Sequence, residues 1–97
     1  MTELSLLQEH CESRLSELLQ RIGRHLDERE LYEALVPFYS PKPFNVLKLR
    51  SEDIEVWVYD DEVSFSAREG GRGFELRDYK SVEDLLDAVF LAIEKAL

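Results

Sequence analysis

His10, Cys11 and His25 are the side chains of this chain best suited to nucleophilic or metal chemistry, and their spacing defeats both. A thiol nucleophile needs an imidazole within hydrogen-bond reach. Neighbours on a helix point about 100° apart, so His10 and Cys11 do not form that pair. Cys11 falls instead on an apolar stripe and reads as a small buried hydrophobe. His25 has no His or carboxylate four residues on, which a helical metal site wants. The run Arg68 to Glu75, "REGGRGFE", fits neither the dinucleotide nor the P-loop spacing and joins two strands rather than opening a helix. It reads as a hairpin loop with residues at positive φ, where Arg68 and Arg72 offer at most an anion contact. Asp60, Asp61 and Glu62 are consecutive, whereas a calcium loop needs ligands at alternate positions and a glycine at the sixth. The expectation is a non-enzyme with no catalytic residue, cofactor or metal.

The chemistry that remains is docking. In "EVWVYDDEVSFS", Glu55 to Ser66, strand alternation puts Val56, Val58, Val63 and Phe65 on one face. Trp57 and Tyr59 fall on the other, among Glu55, Glu62, Ser64 and Ser66. Six acids and no base lie between Ser51 and Glu62. Trp, Tyr and Arg are the residue types that anchor protein interfaces. Glu55, Trp57, Tyr59, Asp60, Asp61, Glu62, Lys48 and Ser64 are therefore the candidate partner-binding residues, with Val46 and Arg50 beside them.

The elements that must position these residues follow from periodicity. Leu4, Leu7, Cys11, Leu15, Leu18, Ile22 and Leu26 recur every three or four residues, which predicts a helix from Thr2 to about Leu26. Thr2 suits its N-cap and Glu3 its first turn, and Gly23 weakens its late part. Asp27 and Glu30 have capping-box spacing, which predicts a short second helix carrying Leu31, Ala34 and Leu35 inward and stopping at Pro37. Pro37 to Pro43 is an extended connector. Four strands are expected, at about Asn45–Arg50, Ile54–Tyr59, Glu62–Ala67 and Phe74–Asp78. A C-terminal helix follows, capped by Ser81, with Val82, Leu85, Leu86, Val89, Phe90, Ile93 and Leu97 on its apolar arc. The layout is α+β, a four-stranded antiparallel meander between terminal helices.

Register follows from the same alternation, because a one-residue slip turns every side chain to the wrong face. With Asp60-Asp61 as a two-residue loop, Tyr59 opposes Glu62, Val58 opposes Val63, Trp57 opposes Ser64 and Val56 opposes Phe65. With Glu52-Asp53 as the preceding loop, Leu49 opposes Val56, Leu47 opposes Val58, Lys48 opposes Trp57 and Arg50 opposes Glu55. This arrangement predicts an Arg50–Glu55 ion pair and a Lys48–Trp57 cation–π contact. It leaves open whether the N-terminal helix folds over the Trp57 face.

Ninety-seven residues suit one domain, residues 1–97. The net charge of −9 argues against a nucleic-acid backbone, which wants clustered bases, and favours a basic protein partner. No apolar run reaches the roughly 18–20 residues of a membrane span. One cysteine and an N-terminus without a basic or apolar leader segment point to the cytoplasm.

In length, acidity, α+β order and a carboxylate-plus-aromatic surface, the chain resembles the small immunity proteins that bacteria make beside secreted antibacterial toxins. The resemblance implies an inhibitor whose acids meet a basic toxin surface. Glu55, Asp60, Asp61 and Glu62 would then steer the encounter, and Trp57 and Tyr59 would anchor it. Three alternatives stand beside it. One is a secretion chaperone-like adaptor for an effector protein, although the chain is shorter than that class and lacks its helix between strands. Another is a homo-oligomeric structural domain, a homodimer through the Trp57 face or the first helix. The last is a ligand-binding or enzymatic domain using the cleft near Arg68 and Arg72.

Overall fold

The computed structural model describes residues 4–34, 44–68 and 70–97. Chain order gives helix α1 (Leu6–Arg21), strands β1 (Glu28–Ala34), β2 (Phe44–Ser51), β3 (Ile54–Val58), β4 (Glu62–Ala67) and β5 (Gly70–Glu75), a 3-10 turn (Leu76–Asp78) and helix α2 (Val82–Ala96). The strands form one antiparallel sheet in the order β1-β2-β3-β4-β5. The architecture is α+β; among the described residues there are five strands where the sequence predicts four, and residues 28–34 are strand rather than a short second helix.

Helix α1 starts later than its stripe suggests. The proposed cap Thr2, with Glu3, lies outside the described residues. The N-cap is Ser5, whose hydroxyl accepts from the Gln8 N–H at 3.2 Å while the Gln8 side chain accepts from the Ser5 N–H at 3.0 Å. That reciprocal capping box satisfies two orphan donors. Gly23 ends the helix rather than merely weakening it. At φ +74° it lets its own N–H reach Gln20 O at 3.1 Å and the Arg24 N–H reach Leu19 O at 2.7 Å. This is the two-bond Schellman stop, which needs a left-handed residue. Ile22, past the last turn, is consequently exposed.

The segment after Gly23 corrects the largest expectation. Asp27 does not cap a helix, because its carboxylate accepts the Glu52 N–H at 2.7 Å. Its own N–H donates to Arg50 O at 2.8 Å. The Ser51 hydroxyl, fully buried, donates to the His25 carbonyl at 2.7 Å. These bonds lay residues 28–34 along β2 as a strand, with Leu31 opposite Leu47 and Tyr32 opposite Val46. Leu31 then packs on the core, and Arg29 ties β1 to α1 through a two-pronged ion pair with Glu12. Leu35 and the connector Pro37–Pro43 lie outside the described residues.

The last strand also shifts. Gly70 to Glu75 pairs with β4, so the glycine-rich segment is strand, and Leu76–Asp78 turns away as 3-10 helix. The expected registers of the other hairpins hold, with Lys48 opposite Trp57, Leu49 opposite Val56, Trp57 opposite Ser64 and Val56 opposite Phe65.

Alternation sends Leu47, Leu49, Ile54, Val56, Val58, Val63, Phe65 and Phe74 to one face, where they are buried against Leu7, Cys11, Leu15, Leu18 and Leu19 of α1 and Leu85, Leu86, Val89, Phe90 and Ile93 of α2. Ser81 caps α2 as expected, accepting from the Asp84 N–H at 3.1 Å. Both helices thus lie on the inner face. Each fully buried aliphatic side chain there stabilises the fold by about 1.5–3 kcal/mol relative to exposure.

Candidate protein-docking surface

The outer face of the sheet is the surface that neither helix covers. Register and alternation place on it Glu28, Glu30 and Tyr32 of β1, Val46, Lys48 and Arg50 of β2, and Glu55 and Trp57 of β3 with Tyr59 just beyond. Glu62, Ser64 and Ser66 of β4 and Gly71, Gly73 and Glu75 of β5 complete it. The first helix does not fold over Trp57, since its apolar side packs on the opposite face.

Every candidate residue is on this face or its rim. Trp57 sits on the central strand, part-buried, between Lys48 on one side and Ser64 on the other. Tyr59 continues the row, its N–H donating to Glu62 O at 2.8 Å. Asp60 and Asp61 make the exposed turn next to it. Tyr59, Asp60, Asp61 and Glu62 line a shallow cleft of about 500 Å³.

The charges pair differently from expectation. Lys48 does not give its ammonium to the indole; Nζ lies 3.9 Å from Glu28 Oε1. Arg50 stands opposite Glu55 in register, yet its Nε is 3.4 Å from the other Glu28 oxygen. Glu28 takes both bases because β1 brings a carboxylate alongside them, a neighbour that a four-stranded reading lacks. The consequence is electrostatic. Lys48 and Arg50 share the one carboxylate of Glu28, which offsets half of their charge, while among the described residues no ion pair engages Glu30, Glu55, Asp60, Asp61 or Glu62. The face is left acidic around its aromatic centre.

Tyr32 also belongs to this centre, beyond the residues that the sequence alone points to. It lies across Val46 from the end of β3, and Val46 is only 1% exposed although it is on the outer face. Burial, then the neighbouring Tyr32 and Glu62, raise the Tyr59 hydroxyl above its ordinary pKa. Reading β1 as helix hid Tyr32. The alternating Glu28, Glu30, Tyr32 against Arg50, Lys48, Val46 is the signal that finds it.

The remaining candidate groups do not converge. Arg68 is 3.9 Å from Asp53, and Arg72 lies over the Phe74 ring at 4.7 Å, so the two arginines form no shared anion site. Cys11 is fully buried, and burial pushes its thiol up to about 12. A thiol held so far from ionisation is a poor nucleophile. A larger cleft, about 610 Å³, runs between the helices along Arg14, Leu18, Arg21, Phe90 and Glu94. Its arginines are already engaged, Arg14 with Asp87 at 2.8 Å and Arg21 with Glu94 at 3.4 Å.

No family model matches this chain, and neither a curated protein nor a solved structure matches it. No helix among the described residues is long and apolar enough to cross a membrane.

Proposed function

We propose that this protein is a non-catalytic binding protein that masks a basic protein partner, acting as an immunity protein that neutralises a bacterial toxin in the cytoplasm. The observation that carries the reading is Trp57, held part-exposed at the centre of a sheet face that neither helix covers, with Glu30, Glu55 and Glu62 on that face engaged in no ion pair among the described residues. A part-exposed aromatic centre with a charged rim is the anatomy of a protein interface. Trp57, Tyr59 and Tyr32 supply rigid anchors, which give up little side-chain freedom on binding. Glu30, Glu55, Asp60, Asp61 and Glu62 supply long-range attraction to a basic surface and speed encounter. The inward helices serve this surface indirectly, by fixing the sheet beneath it.

The partner is obtained by affinity capture on the wild-type chain from its native cells, then purified. Titration against wild type and against Trp57→Ala and Glu55→Ala tests the site. Loss of affinity in folded variants supports it, and undiminished binding by the folded double variant sinks it.

A further inference from the structure

Among the described residues, β5 is an unguarded edge. Its place at the end of the strand order gives it one neighbour in the sheet. The Leu76 N–H donates to Asp61 O at 2.8 Å, which fixes the phase of the β4–β5 ladder. By antiparallel alternation Phe74 and Arg72 bond to Val63 and Phe65. Gly71, Gly73 and Glu75 therefore turn their N–H and C=O groups outward. Such a row is a template for another strand.

The two edges of the sheet are not alike. β1 carries Glu28, Arg29, Glu30 and Glu33, charged side chains of the kind that guard an edge against another strand. β5 carries one base and one acid, Arg72 and Glu75, and is otherwise Gly70, Gly71, Gly73 and Phe74. It also stays bare for a steric reason. A Cβ at Gly71 would meet the Phe65 carbonyl oxygen at 2.3 Å.

We infer that two copies of this chain pair antiparallel through β5, about a two-fold axis at Gly73. In that register Gly73 faces its counterpart, Arg72 faces Phe74, and Gly71 faces Glu75. Arg72, already 4.7 Å from its own Phe74 ring, gains a second aromatic neighbour. Glu75 falls opposite a residue with no side chain. The other registers are worse. An axis at Arg72 sets guanidinium against guanidinium. An axis at Phe74 or Glu75 runs the ladder into the 3-10 turn, and one at Gly71 carries Glu75 beyond the partner's β5. The two-fold axis stands perpendicular to the sheet and closes the assembly at two copies. The product is one ten-stranded sheet with all four helices on one side and both Trp57 faces on the other. This interface does not depend on the docking role of Trp57.

The test is the solution mass of the full chain, by sedimentation equilibrium from 1 to 500 µM, with amide exchange over the same range. The expected mass rises toward twice 11.4 kDa. Exchange at the Gly73 and Glu75 amides slows at least tenfold between dilute and concentrated samples, because these outward N–H groups gain partners. Gly73→Lys places two ammonium groups across the axis and lowers dimer affinity at least tenfold, whereas Trp57→Ala leaves the mass unchanged. A monomer at every concentration overturns the inference. So does a dimer whose Gly73 and Glu75 exchange is independent of concentration, a result that needs no variant to fold.

Discussion

The Gln8 side chain of α1 donates to the Val58 carbonyl of β3 at 2.9 Å, and its second amide hydrogen reaches the Asn45 carbonyl of β2 at 3.1 Å. Gln8 is fully buried. The same side chain closes the capping box with Ser5. One amide thus caps the helix and fastens it to two strands, immediately beneath Val46 and Tyr59. Only a group with both a donor end and an acceptor end does this.

Gln8→Leu leaves the two carbonyls without this donor and removes the side-chain half of the cap, the Ser5 N–H losing its acceptor. Unsatisfied buried groups cost about 1–3 kcal/mol each, so a loss of roughly 2–4 kcal/mol is expected by urea denaturation. Gln8→Glu is the sharper variant. It keeps the cap acceptor but turns a carboxylate toward two carbonyl oxygens, which raises its folded-state pKa above the unfolded value of about 4.3. The penalty relative to wild type should be small below pH about 4 and grow as pH rises through that value. A penalty independent of pH would contradict the assignment.

Cys11 gives a second prediction with a sign. Burial pushes its thiol up to about 12, with Arg14 pulling less strongly the other way. Its unfolded value is about 8.5. A raised folded-state pKa contributes stability that is full below the unfolded value and is lost as pH rises toward the folded one. The stability difference between wild type and Cys11→Ala should therefore shrink between pH about 8.5 and 12. A thiol-directed reagent at pH 8 should modify native protein at least a hundredfold more slowly than protein in denaturant.

The β2–β3 loop holds its own strain. Glu52 adopts φ +50°, a left-handed conformation unfavourable for a side chain of its type. Its Asp27 bond uses only the backbone N–H, which substitution preserves. Its exposed carboxylate is 3.6 Å from the part-buried Arg24, which keeps Asp53 at 3.7 Å as a second partner when Glu52 is replaced. Glu52→Asn should stabilise the protein by about 0.5 kcal/mol, since Asn tolerates this region. A melting temperature that falls would contradict this.

The inner face of the sheet and its two central hairpin registers were legible because apolar alternation admits one solution for each, and the cap of α2 because Ser81 stands just before a helical apolar arc with Glu83 and Asp84 in its first turn. Two elements were not. Asp27 and Glu30 carry a capping-box spacing, and Leu31, Ala34 and Leu35 have helical spacing, so local signals favour helix. What decides for strand is the Asp27 carboxylate on the Glu52 N–H and the bases of β2 facing Glu28, both long-range. β5 was hidden because Gly70, Gly71 and Gly73 have no side chains to alternate. That the candidate residues share one outer face was legible from alternation, but their ion pairs and Tyr32 were not, since both depend on β1.

Salt should act on association with the partner more than on its persistence. Glu55, Asp60, Asp61 and Glu62 are at or near the surface, where charge attraction is screened beyond about 8 Å at 0.15 M salt. Raising salt from 0.05 to 0.5 M should slow association at least tenfold while dissociation changes less than threefold. Stopped-flow measurement of both rates checks this.

The most direct test of the account is calorimetric titration of the purified basic partner with wild type, Trp57→Ala, Tyr59→Ala and Leu91→Ala. Leu91 is an exposed residue of α2 on the helical side. Truncating an interface anchor costs about 2 kcal/mol or more, so Trp57→Ala should weaken binding at least thirtyfold and Tyr59→Ala at least fivefold. Leu91→Ala should bind as wild type does. Wild-type affinity in folded Trp57→Ala, with the loss falling instead on Leu91→Ala, would place the interface on the helices and contradict the account.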